Sequence, residues 1–150
     1  MLRDKYTTLG SGAHFPLAGE HGQALSAERR SLEGDLRDLQ KEVGHGHPSA
    51  LVLELQLADC LYSLGELSLA REAFEEVMAY RSVLFGEHSL ATARVARSLF
   101  RLLCEQDDRP AMAEVYYRFL SWIPMRDPAT LCEGLREVLQ EVETLLAKTT

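Results

Sequence analysis

The sequence has no long apolar run; Leu51-Val52-Leu53 is typical of what it offers, against the roughly 20 residues needed to cross a bilayer. Its opening stretch, MLRDKYTTLGSGAHF, has no apolar segment of the kind that drives secretion, so a cytoplasmic chain is expected. Basic charge is also short. Sixteen Lys and Arg against 23 Asp and Glu leave a formal charge of −7, which disfavours nucleic acid and acidic membranes as partners, because phosphate binding needs a concentrated basic surface. Cysteine is scarce: Cys60, Cys104 and Cys132 form no Cys-x-x-Cys pair, and each falls in an apolar helical pattern, as expected of reduced structural thiols. No phosphate-binding loop, Gly-x-Ser-x-Gly or isolated carboxylate pair stands out from the surface glutamates, so neither an enzyme nor a cofactor is expected. His45, His47 and His88 could donate to a metal, but His47 and His88 read more simply as residues at two equivalent helix junctions, and no metal site is expected.

What is present is an ordinary globular composition, 46% hydrophobic and 26% charged, in a chain of 150 residues, enough for one folded domain. Residues 1–23, with four glycines and little periodicity, read as a flexible N-terminal arm, leaving residues 24–150 as the domain. Leu32, Leu36 and Leu39 recur at helical spacing amid charges and predict an amphipathic helix over about 24–43. Pro48 suits a first helical position, and the helix from there to about residue 64 is apolar nearly all round, with a polar strip of Gln56, Asp59 and Ser63. After a tight turn the next helix, about 68–85, turns Ala70, Ala73, Phe74, Val77 and Met78 inward and leaves Arg71, Glu72, Glu75 and Glu76 solvated. A second pair follows, about 89–105 and 110–123. A last helix begins at Asp-Pro-Ala-Thr, with Asp127 as its cap, and carries Leu131, Leu135, Val138 and Val142 along one side.

The two pairs repeat each other. Ala58, Ala70 and Phe74 are matched by Phe100, Met112 and Tyr116 at the same intervals, and Pro124 stands eight positions past Tyr116. His47 and His88 are 41 positions apart, whereas the second helices of the pairs align better at 42. Self-similarity of this length signals helical pairs that bury their open faces on one another. The expected fold is therefore all-α: antiparallel helical hairpins stacked as a short right-handed solenoid of about two repeats, with flanking helices as caps.

These intervals resemble the tetratricopeptide repeat, and the junctions GHGHPSA and FGEHSLAT resemble those of its kinesin light chain-like branch, over about residues 44–126. The resemblance implies a non-enzymatic adaptor or scaffold that holds a peptide in a helical groove. Arg94, Arg97 and Arg101 fall on one face of a helix and could accept carboxylates through paired N–H donors, which points to an acidic or amphipathic protein segment as partner. Alternatively they form a solvated face or pair with Asp59 and Glu54. Tyr117 and Trp122 are candidate anchors for a partner, or else core. A second function class remains open: a self-associating assembly domain, or part of a longer solenoid, with Leu32, Leu36 and Leu39 as a homodimer seam.

Overall fold

The computed structural model describes residues 19–149. They contain no strand and form six α-helices: α1 (Gly19–Val43), α2 (Pro48–Ser63), α3 (Leu67–Phe85), α4 (Leu90–Gln106), α5 (Arg109–Val115) and α6 (Glu133–Thr149), with a π-helical segment at Tyr116–Leu120 and a 3-10 turn at Pro128–Thr130. The chain divides into two compact units at Ala73 and Phe74, within α3.

In the first unit α1 packs on α2. Leu32 and Leu36 are buried, so two of the three leucines considered for a dimer seam are already covered within the chain. The helix starts at Gly19 rather than near Ala24; residues 19–23 are helical, and the rest of the expected arm lies outside the described residues. Gly22, within this extension, is buried, and just beyond it the Leu25 carbonyl accepts a hydrogen bond from the Cys60 thiol of α2 at 3.3 Å. On α2, Ala50, Leu51, Ala58, Cys60 and Leu61 are buried. His47 caps the helix, its Nδ1 accepting from the Ser49 amide, and Pro48 takes the first position, where a missing N–H breaks no helical bond.

The second unit is arranged around α4, which contacts α5, the π segment and α6. Thr92, Ala93, Val95, Ala96, Leu99, Phe100, Leu102 and Leu103 are all buried. The Thr92 hydroxyl donates to the Gly86 carbonyl at 2.8 Å and accepts from Ser89 at 3.0 Å, so its burial leaves no unmet polar group. α4 ends at Asp107 in the left-handed region. Asp108 then caps α5, accepting from the Ala111 amide. The expected regular helix over 110–123 changes after Val115: the Ser121 amide reaches back to the Tyr116 carbonyl at 2.8 Å, the five-residue spacing of a π turn. The final helix also differs from expectation. Asp127 caps a single 3-10 turn, Leu131 is extended, and α6 begins only at Glu133.

The described boundaries fix the internal register at 42. Gly44 and Gly86, both with φ +92°, end α1 and α3, their amides bonding Gln40 and Ser82 at 2.9 Å. Gly65 and Asp107, also 42 apart, both have positive φ. The helix caps His47 and Ser89 keep the same interval. His88 is therefore not the counterpart of His47; where the second junction lacks proline, the cap falls one residue later, on the Ser89 hydroxyl.

Two glycines test this reading with opposite signs. Gly34 sits inside α1 with nothing within 4 Å of an added Cβ, so Gly34→Ala should stabilise the chain by roughly 0.5–1 kcal/mol. Gly86→Ala places a Cβ at φ +92° and should destabilise by about 1–2 kcal/mol. Urea unfolding followed by circular dichroism reads both, and equal effects at the two positions would contradict the junction geometry.

Candidate functional site

The arginine face of α4 is turned to α6. Arg97 Nε lies 3.6 Å and Arg101 Nη1 3.5 Å from the two carboxylate oxygens of Glu141. Arg94 meets the first turn of α6, since a Cβ on Gly134 would stand 2.9 Å from its Nη2. The three arginines thus share a face, and the neighbour on that face is the chain's own final helix. Asp59 is exposed on α2 and belongs to the other unit. It lines a shallow groove of about 440 Å³ with His21, Leu25, Glu28 and Cys60. No cluster of three His, Cys, Asp or Glu with a metal-binding arrangement occurs among the described residues.

Trp122 and Tyr117 are placed differently. The Trp122 indole N–H donates to the Phe119 carbonyl at 2.8 Å, His88 stacks on its ring at 5.3 Å with planes 17° apart, and the Arg126 guanidinium lies 5.3 Å from the ring centroid. With its donor satisfied and neighbours on the ring, Trp122 ties the α3–α4 junction to the segment after the π turn. Tyr117 is 74% exposed and meets Tyr116 edge-on at 5.3 Å.

The most extensive exposed apolar feature of the second unit was not anticipated from the sequence. On α3, Phe74, Val77 and Met78 are buried, whereas Tyr80 is 37%, Val83 84% and Leu84 47% exposed. At about 100° per residue, Glu76, Ala79, Tyr80, Val83 and Leu84 span an arc of roughly 140° opposite the buried side. Phe85, at the end of the helix, is also exposed. Arg81 is held away from this arc, donating to the Ala91 carbonyl at 3.1 Å. Beyond the helix Glu87 accepts from Arg118 at 2.8 Å. The signal was legible in the sequence as a second apolar stripe on α3, spaced three and four residues apart.

Two of the thiols, Cys60 and Cys104, are shifted away from activation. Burial, joined by the charge of Glu28 and opposed by Arg29, pushes the Cys60 thiol up to about 11; a nucleophilic thiolate needs the opposite shift. Burial raises Cys104 too, opposed by Arg109. Cys132 is exposed.

In comparison with known proteins, the chain matches no protein-family model, no curated protein and no solved structure. The functional reading therefore rests on geometry.

The cysteines provide a direct check. With iodoacetamide at about pH 7.5, Cys132 should alkylate first, Cys104 more slowly and Cys60 only as the chain opens. Peptide mass spectrometry gives the order, and Cys60 reacting as fast as Cys132 would contradict its burial. The alkaline limb follows from the same proton. The folded chain keeps it to about pH 11 and the unfolded thiol releases it from 9.0, so this contribution to stability is complete below pH 9 and is lost as pH rises through 11. Cys60→Ala should flatten that loss.

Proposed function

We propose that the chain is a non-enzymatic protein-interaction domain, an adaptor or scaffold built from tetratricopeptide-like hairpins, with the outer face of α3 as its contact surface. The observation that carries this reading is the exposed Tyr80, Val83 and Leu84 on a helix whose opposite side buries Phe74, Val77 and Met78. A contiguous apolar stripe of this kind is a usual mark of a protein contact. The repeat reading is supported by the junctions recurring 42 positions apart, each with a positive-φ glycine before a capped helix.

The alternative surface, an acidic segment on Arg94, Arg97 and Arg101, is less favoured. Glu141 already faces Arg97 and Arg101, so an incoming carboxylate would exchange one partly exposed ion pair for another, each worth about 0–1 kcal/mol. Burying Val83 and Leu84 would contribute more, about 25 cal/mol for every Å² removed from water.

Three forms of the chain distinguish the surfaces in pull-downs: wild type, a Val83→Asp/Leu84→Asp variant, and an Arg94→Ser/Arg97→Ser/Arg101→Ser variant, compared at matched helicity. The expected outcome is one protein retained by the wild type and the arginine variant and lost, by tenfold or more (about 1.4 kcal/mol), from the Val83/Leu84 variant. Loss confined to the arginine variant would move the site to α4, and no retention by any form would remove the interaction reading.

A further inference from the structure

We propose that Arg81 and Arg94, which converge beside the start of α4, bind a phosphate group, either as the free ion or as a monoester. The site lies wholly within the second unit and is separate from the α3 contact face, from which Arg81 is turned away.

The convergence follows from the two helices. Arg81, half-buried on α3, crosses to α4, where its Nη1 donates to the Ala91 carbonyl at 3.1 Å. Arg94 stands three positions after Ala91, and a helical side chain lies over the turn preceding its own Cα. Its Nη2 and the two methyls of Leu90 accordingly meet at Gly134, 2.9, 3.0 and 3.1 Å from where a Cβ would be. Guanidiniums from two helices are thus held over the one turn at residues 90–94, and Arg94 remains open to solvent.

Neither charge is neutralised where it stands. Glu141 answers Arg97 and Arg101, but among the described residues no carboxylate forms an ion pair with Arg81 or Arg94. Glu133 and Glu137, on either side of Gly134 in α6, are exposed and paired with neither. The hydrogen bond of Arg81 uses one of its five N–H donors and reaches a neutral carbonyl. Burial and, after it, the charge of Arg94 lower the Arg81 pKa, as expected of two cations held close with no anion between them.

The donors select the ligand. A carboxylate is planar, and one guanidinium edge takes up both its oxygens in a bidentate pair. A phosphate presents at least three oxygens tetrahedrally and carries about −1.5 to −2 charge at neutral pH, so it can bridge two guanidiniums and neutralise both. The net charge of −7 opposes an incoming anion only at a distance, because charges beyond about 10 Å are largely screened at 0.1 M salt. At contact the two arginines decide.

Amide NMR of the full chain at constant ionic strength, titrated with inorganic phosphate, phosphoserine or acetate, tests the site. Phosphate should give saturable shifts centred on Ala91, Arg94 and Gly134, and acetate should bind at least tenfold more weakly. Arg94→Gln removes no ion pair or side-chain hydrogen bond found among the described residues, and should weaken phosphate binding tenfold or more at an unchanged melting temperature. Arg81→Gln should weaken it similarly, while Arg97→Gln should bind as the wild type does. Tighter binding of inorganic phosphate than of phosphoserine would support the free ion as the ligand, and the reverse would support the monoester. Shifts that stay linear or spread equally to Arg118 and Arg136, acetate binding as tightly as phosphate, or unchanged binding by Arg94→Gln would each overturn the proposal.

Discussion

The second unit is organised by the need to keep α4 out of water. Eight of its residues are buried, covering so much of its circumference that no single neighbour could shield them. α5 and the π segment cover part, and α6 returns to cover more. What brings α6 there can be decided by magnitude. Val138 and Val142 are essentially inaccessible, and burying a valine is worth roughly 1.5–3 kcal/mol. The Arg97 and Arg101 contacts with Glu141 are partly exposed and worth about 0–1 kcal/mol each. The valines hold α6 in place, and the arginines are paired because α6 already lies there. A face that reads from sequence as an open basic stripe is thereby given a neighbour.

Much of this architecture could be read in the sequence because it depends on periodicity. Leu32 and Leu36, Phe74 and Val77, and Leu99, Leu102 and Leu103 recur at helical intervals, and the structure buries them. Details settled by competition among nearby groups were less legible. His47 and His88 look equivalent as letters, but only His47 is followed by proline. At the second junction a serine hydroxyl caps the helix, freeing His88 to stack on Trp122. Asp127 caps as expected, but Leu131 turns extended to enter the core, and α6 starts two residues later. Nothing in the periodicity distinguishes a 3-10 turn followed by a break from a continuous helix. The π turn at Tyr116 is equally hidden, since it shifts later side chains by one position without altering composition.

The candidate surface follows the same distinction. A helical wheel of α3 shows two apolar faces, one through Phe74, Val77 and Met78 and another through Ala79, Tyr80, Val83 and Leu84. Amphipathicity alone cannot say which is covered, because either would pay the same transfer free energy per unit area. Only the packed chain shows that the first is buried and the second open. Trp122 illustrates the converse. Its indole N–H and large ring are what a binding anchor needs, but the backbone of Phe119, His88 and Arg126 meet those needs internally.

In the proposed role, the two parts of the α3 face have separate tasks. Apolar area contributes affinity but discriminates weakly, because Tyr80, Val83 and Leu84 would accept the leucine side of many amphipathic helices. Discrimination comes from what the wrong partner would have to tolerate. An acidic helix laid along the stripe would bring its carboxylates close to Glu76, which is exposed on the same face. Charge near the apolar stripe thus narrows the set of acceptable partners. The arginines on α4 cannot supply that discrimination in the same way: Arg97 and Arg101 already face a carboxylate on a helix fixed by Val138 and Val142, so much of their charge is answered before any partner binds.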